Sequence, residues 1–390
     1  MMPFLPAPRE TTVEALAHLI ETGGPVQVVD VRPPATVASG RIEGISEKRF
    51  HNVTTMQLMT RRRGAIAALD PGVFTAVVCN RGNESKMAAA LLEKLGVEAA
   101  SVQGGMAAWM RLVVPREVAP PPGVDRVVQF DRVGKGALGY LVASRGEAVL
   151  IDPPRDAAAY LSALGSAGAR LVGVVDTHVH ADYVSGGPHL ASQYGVPYYL
   201  HPADAVYPYD GRPGRITYAP LNHGDDIPVG ACRLRAWHTP GHTLGSTTLV
   251  VSDEMAFTGD FLFVNSIGRP DLAGHTAEWA ADLWRSVEAV KREWPAAMQV
   301  YPAHYSAESE RRADRVVGTT FGSLLERLVA LRFERADPFI AWVLEREAAF
   351  PEVYRQIKAI NIGLASVSEE EAEVLEMGRN ECALGGSAGR

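Results

Sequence analysis

The sequence has few cysteines, no long apolar run and no excess of positive charge. Three cysteines occur in 390 residues, at Cys79, Cys232 and Cys382. An odd number of widely spaced cysteines argues against a secreted disulfide framework. No apolar stretch approaches the roughly 20 residues of a membrane-spanning helix, and no basic segment followed by an apolar one indicates a signal peptide. We therefore expect a cytoplasmic protein without a membrane partner.

The charge balance gives no support for a nucleic-acid partner. The chain carries 38 basic and 45 acidic residues, for a net charge of −7. Nucleic-acid-binding proteins usually present a basic surface, so no nucleic-acid partner is expected. The chain is 47% hydrophobic and 21% charged, which is typical of a globular protein with full-sized cores. Its length predicts two or three domains.

The chain changes character at a proline-rich stretch. Before it, short buried-strand patterns alternate with helical ones, as in Val26–Val31, Thr75–Asn80 and Ser85–Gly96. This alternation predicts a parallel α/β domain, whereas strand patterns joined by glycine-containing turns follow the stretch. The predicted divisions are residues 10–112, a connector at 113–123, a domain at 124–335 and a helical C-terminal extension at 336–390.

Histidine is concentrated in one part of the sequence. Nine of the eleven histidines lie between residues 178 and 304. Several belong to short motifs at predicted strand ends, where a rigid scaffold can present ligands from loops. These motifs are DTHVHADY with His178, His180 and Asp182, TPGHT with His242, AFTGD with Asp260, and YPAH with His304. Four such motifs in order predict a metal site.

The motif series resembles the metallo-β-lactamase superfamily, in particular its glyoxalase II and persulfide dioxygenase branch. The resemblance covers about residues 124–335 and implies an αββα sandwich. The superfamily pattern HxHxDH ends in a histidine where this chain has Tyr183. That histidine binds the second metal in the dinuclear zinc hydrolases, and a phenol with a pKa near 10 is a poor replacement. A mononuclear site is therefore favoured.

The persulfide dioxygenase resemblance implies specific roles. It assigns one Fe(II) per chain to His178, His242 and Asp260, although the ligands alone do not exclude zinc. His180, Asp182, Tyr183 and His304 would surround these ligands and orient them and bound water. Arg269, in the segment FVNSIGRPDL, is predicted either to bind a substrate carboxylate or to pair with Asp271 and fix the loop.

The remaining motif contains a cysteine. Cys79 ends an apolar strand, and CNRGNES leads into a helix whose N-terminus favours a thiolate. Residues 10–111 resemble a single-domain rhodanese, a family in which this cysteine carries a persulfide sulfur. Glu84 stands where many rhodaneses have arginine; a carboxylate there disfavours the thiolate, and Arg81 and Lys86 are candidates to compensate. An inactive docking module is the alternative.

Together, the two resemblances imply an α/β enzyme with two chemistries. We expect an iron-dependent oxidation of a thiol persulfide by O₂ to sulfite, and a sulfur transfer through Cys79 that involves sulfite and thiosulfate. The alternatives are a zinc-dependent glyoxalase II-type thioester hydrolase and a non-enzymatic sulfur-relay or persulfide-sensing protein. A homodimer is expected by analogy with the family.

Overall fold

The computed structural model describes residues 8–38, 40–60, 62–271 and 273–384. The chain divides into two compact units. The first comprises Met1–Leu112, Arg132–Lys135 and Met377–Arg379, and the second comprises Val113–Asp131, Gly136–Glu376 and Asn380–Arg390. The finer boundaries predicted from the sequence, such as the one at residue 335, remain predictions.

The first unit is built on a five-stranded parallel sheet in the order β1-β5-β4-β2-β3. Its strands are β1 (Glu10–Thr11), β2 (Val26–Asp30), β3 (Phe50–Asn52), β4 (Phe74–Val78) and β5 (Ala99–Val102). Its helices are α1 (Val13–Glu21), α2 (Pro34–Ala38), α3 (Thr55–Thr60), α4 (Arg62–Ala65), α5 (Glu84–Lys94) and α6 (Gly105–Arg111). This confirms the predicted parallel α/β class.

The central strand β4 and helix α5 determine where the first unit's cysteine lies. β4 is buried on both faces, as expected for a strand of a covered parallel sheet. Ala88, Ala89 and Leu92 give α5 an apolar stripe that packs with Val77 of β4. The loop between these elements therefore begins with Cys79, at the carboxyl end of a central strand.

The second unit contains two sheets. The first has the order β12-β11-β10-β9-β8-β7-β6, and the second runs from β13 to β18 in sequence order. The first sheet consists of β6 (Val113–Val118), β7 (Arg126–Arg132), β8 (Ala137–Ser144), β9 (Glu147–Ile151), β10 (Arg170–Val175), β11 (Tyr198–Leu200) and β12 (Ala219–Pro220). The second consists of β13 (Asp226–Val229), β14 (Cys232–His238), β15 (Thr247–Val251), β16 (Met255–Gly259), β17 (Gln299–Pro302) and β18 (Thr319–Thr320).

A buried apolar core joins the two sheets, and helices cover their outer faces. Tyr140 of β8 and Phe257 of β16 meet across this core with ring centroids 4.7 Å apart. Helices α7 (Ala158–Ser166) and α8 (Gly187–Tyr194) pack on the first sheet, and α9 (Thr276–Glu293), α10 (Phe321–Arg327) and α11 (Ala336–Leu344) pack on the second. The layers confirm the predicted αββα sandwich.

The proline-rich connector is shorter than predicted. Residues 113–118 form β6, the edge strand of the first sheet, rather than a free linker. Pro115 lacks an amide N–H, but an edge strand tolerates this because one side of it has no partner strand. The connector assigned to residues 113–123 is therefore corrected to the part that follows Val118.

The predicted C-terminal helices are present. They include α11 and continue with α12 (Val353–Asn361) and α13 (Glu369–Leu375). The chain then returns to the sandwich, where Ala383 forms an antiparallel bridge with Gly268 and the amide of Leu384 donates to the carbonyl of Ile267 over 2.8 Å. No helix in the described ranges is long and apolar enough to cross a membrane.

Candidate active sites

The predicted metal ligands lie in loops that follow strands of the second unit. Strands β14, β16 and β17 run in the same direction, so their carboxyl ends lie at one edge of their sheet. The loop after β10 reaches this edge from the other sheet. These loops hold His178, His180, Asp182, His242, Asp260 and His304, and each of these side chains is at most 1% exposed.

Three of these side chains form one compact donor group. Ligand atoms of His178, His242 and Asp260 all lie within 4.8 Å of one another. One Asp260 oxygen, Oδ2, is 3.6 Å from Nε2 of His178 and 3.2 Å from Nε2 of His242. Within the described residues, these two nitrogens and both Asp260 oxygens make no hydrogen bond, although all are buried. Buried lone pairs without hydrogen bonds are costly, and a divalent metal ion would satisfy them.

Hydrogen bonds fix the ring tautomers that metal binding requires. The hydroxyl of Thr177 donates to Asp152 over 2.9 Å, so it accepts from Nδ1 of His178 at 3.0 Å. Nδ1 of His242 donates to the carbonyl of Arg269 over 2.9 Å. In both rings the proton is on Nδ1, and Nε2 keeps a lone pair that faces the donor group.

The charges of the site also suit a cation. Burial lowers the pKa of His242 to about 3, so its ring is neutral at physiological pH. Burial alone would raise the pKa of Asp260, but His304, His178 and His242 outweigh that effect and hold it well below its usual value. Two neutral imidazoles and one carboxylate are the ligand set of non-heme Fe(II) sites with open positions.

His180 is turned toward a different partner. Its Nε2 lies 3.1 Å from Oδ1 of Asp152 and 2.9 Å from the hydroxyl of Tyr183, and the ring stacks on Tyr183 with centroids 4.3 Å apart. Burial opposes protonation of His180, but Asp152 and neighbouring carboxylates raise its pKa to about 9. Burial also holds the pKa of Tyr183 well above 10. Sequence reasoning missed Asp152, whose one signal is an acidic residue at the end of the apolar strand β9.

A second donor group lies beside the first. Ligand atoms of Asp182, His304 and Cys382 lie within 4.8 Å of one another. Nε2 of His304 is 3.6 Å from Oδ1 of Asp182 and 3.5 Å from Oδ1 of Asp260, so Asp260 faces both groups. His304 donates from Nδ1 to the carbonyl of Gly136 over 3.1 Å, which turns Nε2 toward the carboxylates of Asp182 and Asp260.

Cys382 is the member of this group that the sequence did not reveal. It is completely buried, and its carbonyl accepts from the amide of Arg269 over 2.9 Å. The adjacent amide of Glu381 donates to the hydroxyl of Tyr354 over 2.8 Å. These contacts hold the C-terminal segment against the loop after Asp260. No local motif marks Cys382, because the contact arises only when the chain returns to the sandwich.

Of the two roles predicted for Arg269, the structure agrees with the one in which it pairs with Asp271 and fixes the loop. Its guanidinium forms a two-point pair with Asp271, with distances of 2.5 and 2.6 Å. It also donates to the carbonyl of Ala348 and, over 3.4 Å, to that of Glu381. Arg269 is 5% exposed. Since its donors are directed at protein groups, the geometry does not favour substrate binding by Arg269.

The loop that begins with Cys79 places hydrogen-bonding groups around the Sγ atom of this cysteine. The amide of Gly82 donates to Sγ over 3.1 Å, and the hydroxyl of Ser85, at the start of α5, lies 3.3 Å from it. Gly105 closes the other side of the loop with a φ of 59°, and a Cβ at this position would lie 2.3 Å from the carbonyl oxygen of Cys79. Amide donors and a helix N-terminus stabilise a thiolate or persulfide anion.

The charged residues near Cys79 are arranged differently from the expectation. Glu84 lies at the first position of α5 and is exposed, as is Arg81. Lys86 pairs with Glu10 over 3.0 Å. Lys86 is therefore engaged by a carboxylate other than Glu84, and its expected compensation of Glu84 is not seen.

Comparisons with known proteins agree with this architecture. Residues 133–318 match the metallo-β-lactamase superfamily, and residues 12–112 match the rhodanese-like domain. The chain is 35% identical to the human mitochondrial persulfide dioxygenase ETHE1 over 175 residues, which cover 42% of this chain and 62% of the human protein. It is 38% identical to a hydroxyacylglutathione hydrolase from Acidiphilium cryptum over 144 residues, which cover 37% of this chain and 56% of that enzyme.

A solved structure extends the comparison. The metallo-β-lactamase from Staphylococcus aureus superposes with a TM-score of 0.53 at 29% identity, covering 60% of this chain and 71% of that chain. The two matched domains together span more than half of the chain, whereas the chain spans less than two thirds of the human and Acidiphilium enzymes. Residues 133–318 therefore form a domain of the metallo-β-lactamase superfamily, and residues 12–112 form a rhodanese-like domain.

Proposed function

We propose that the second unit is a non-heme iron persulfide dioxygenase. One observation carries the proposal: His178, His242 and Asp260 present buried lone pairs without hydrogen bonds at a single point. When bound there, Fe(II) supplies the redox chemistry that O₂ activation needs and that zinc lacks. The reaction is RSSH + O₂ + H₂O → RSH + SO₃²⁻ + 2H⁺, in which the terminal sulfur is oxidised and O₂ is reduced.

In this scheme, the protein's own residues would hold the metal ion and orient the persulfide and water. Thr177 and the carbonyl of Arg269 keep the two imidazoles in the tautomer that binds metal. Asp260 would be the single charged ligand among the three, so a divalent ion held there would keep an excess of positive charge over its ligands, which would favour an anionic persulfide. His304 and Asp182, with the other face of Asp260, are suited to orient water and accept the released protons.

We propose that Cys79 of the rhodanese-like domain carries sulfane sulfur. In the transfer from thiosulfate, the Cys79 thiolate attacks the outer sulfur, the S–S bond of thiosulfate breaks, and sulfite leaves with its electron pair. In the reverse direction, sulfite made by the second unit accepts sulfur from the Cys79 persulfide and forms thiosulfate. The donors around Sγ support this role because they stabilise the anionic forms of the cysteine.

The likeness to the human persulfide dioxygenase supports the iron proposal, and one specific observation favours a second candidate. Asp182, His304 and Cys382 gather beside Asp260, as expected for two metal ions that share a carboxylate. A two-zinc site, together with the likeness to a hydroxyacylglutathione hydrolase, favours a thioester hydrolase. Tyr183 in place of the usual histidine argues against it.

Metal content and turnover of the anaerobically purified protein test these proposals. We expect about one iron per chain and O₂ uptake that requires glutathione persulfide, with sulfite as the product. Two zinc ions per chain with hydrolysis of S-lactoylglutathione would overturn the dioxygenase proposal. Loss of both activities with retained sulfur transfer at Cys79 would instead favour a sulfur-relay protein.

A further inference from the structure

Lys358 is a buried cation close to the metal centre that contacts no anion. It lies in α12 and is 1% exposed. Among the residues that the structure describes, its Nζ makes no hydrogen bond or ion pair, and its neighbour is the ring of Trp279, 5.9 Å from the ring centroid. An ammonium group removed from water without an anionic partner is strongly unfavourable. Its placement therefore indicates that a ligand supplies the partner.

Lys358 and Trp279 line an otherwise mostly apolar cavity of about 260 Å³. Its wall includes Ile362, and Val206 and Leu244 are 39% and 40% exposed at its rim. Exposed apolar side chains at the mouth of a pocket are a usual entry for a small organic molecule. The cavity thus offers apolar contacts and one cation.

The cavity adjoins the metal centre through two backbone positions. Val179 and Thr243, each of which directly follows a proposed ligand histidine, line it. Asp204 holds these positions: its carboxylate accepts from the amide of Val179 and the hydroxyl of Thr243, both over 2.8 Å, and from the amide of Gly245 over 2.7 Å. Three donors occupy the Asp204 carboxylate, so Lys358 is the charged group of the wall left without a hydrogen-bonded partner.

The electrostatics connect Lys358 to the same centre. Burial lowers its pKa, and the charges of Asp204 and Asp260 act against that effect. The positive charge of Lys358 in turn contributes to the low pKa of His242. Arg269 provides the contrast, because Asp271 and two carbonyl groups already take its donors.

We propose that Lys358 binds a carboxylate of the thiol that carries the persulfide, with the body of the thiol in the cavity and its sulfur at the metal centre. This inference rests on the proposed dioxygenase function and narrows its substrate class to carboxylate-bearing thiols. Lys358 is thus a substrate-binding residue.

Calorimetric titration with thiols that carry no persulfide tests the subsite apart from turnover. The probes are glutathione, its diethyl ester and coenzyme A, titrated into wild type, Lys358→Met and Lys358→Arg, with the more exposed Lys291→Met as the matched control. We expect Lys358→Met to raise the Kd of glutathione at least tenfold, Lys358→Arg to raise it less, and the ester to bind weakly to all four proteins. Lys358→Met should also unfold at the same or a higher temperature than wild type, because it removes an uncompensated buried charge.

An unchanged Kd in Lys358→Met, equal affinity for the ester, or no binding of glutathione to wild type would overturn the proposal. Lys358-dependent binding of coenzyme A alone would overturn the carboxylate assignment in favour of a phosphate. In O₂-uptake assays, Lys358→Met should raise KM for glutathione persulfide far more than it lowers kcat. If thiol binding depends on Lys358 but no O₂ is consumed, the dioxygenase proposal fails and the subsite stands.

Discussion

The metal centre and the Cys79 loop both follow buried strands, but they are built from opposite kinds of polar group. At the metal centre, the unsatisfied atoms around Asp260 are acceptors: imidazole nitrogens and carboxylate oxygens. Around Cys79, the groups that face Sγ are an amide N–H and a hydroxyl, which can donate. A cavity lined by acceptors suits a cation, and a loop lined by donors suits an anion. The polarity of the buried groups therefore separates the two chemistries before any ligand is considered.

The largest expected effect comes from removing the shared carboxylate. Asp260→Asn takes away the one charged ligand of the proposed iron site, so we expect metal content to fall below a tenth of wild type. O₂ uptake should fall at least ~100-fold, since even changes to groups behind the ligands typically cost 10–100-fold. Thiosulfate sulfur transfer should stay unchanged. Exposed Asp253→Asn is the matched control, and full metal content in Asp260→Asn would contradict the proposed ligand set.

The converse experiment concerns the donor-lined loop. Cys79→Ser removes the sulfur nucleophile, and we expect it to abolish thiosulfate sulfur transfer while O₂ uptake with glutathione persulfide is retained. Cys232→Ser should affect neither reaction. Sulfur transfer measured as thiocyanate formation from cyanide would decide the matter, and transfer that survives in Cys79→Ser would exclude the proposed carrier role.

A smaller effect is expected at the backbone that shapes the loop. Gly105→Ala places a Cβ against the carbonyl of Cys79 at a positive φ, with an expected cost of about 1–3 kcal/mol. Sulfur transfer should fall several-fold and the unfolding temperature should drop, whereas metal content should not change. Gly64→Ala, where no atom lies within 4 Å of the added Cβ, is the control. Wild-type stability in Gly105→Ala would show that the loop adapts freely.

The smallest effect is expected at the second donor group. If the site binds one iron, Cys382→Ser should leave iron content and O₂ uptake near wild type, because Cys382 is not among the three proposed ligands. If the site binds two metals, the same substitution removes a ligand and should lower the metal content by about one ion per chain. Elemental analysis of wild type and Cys382→Ser, prepared side by side, distinguishes these outcomes.

The sequence predicted those parts of the site that depend on local pattern. The strand-end positions of His178, His242 and Asp260 follow from apolar runs that stop at turn residues, so their convergence could be expected. Cys79 was predicted in the same way, from a strand that leads into a helix. Such predictions succeed because the carboxyl ends of strands running in one direction meet at one edge of a sheet.

The remaining features depend on contacts between distant segments. Lys358 lies on an amphipathic helix, and no local sequence pattern predicts that its amine is buried near Trp279. Cys382 reaches the site because the C-terminal segment returns to the sandwich. Asp152 reaches it from the end of β9, where its backbone has a φ of 51°. The sequence allowed two partners for Arg269, a substrate carboxylate or Asp271, and in the structure its guanidinium pairs with Asp271. These outcomes are decided by tertiary packing rather than by propensity.

The return of the C-terminal segment also has a consequence for biosynthesis. The β-bridge between Ala383 and Gly268 brings one of the last described residues beside the loop that follows Asp260. His178 and Asp260 are synthesised before Cys382, so the contacts of residues 382–384 with this loop can form only after most of the sandwich has been made. The side of the proposed metal site that Cys382 lines is therefore the last part of it to be completed during synthesis.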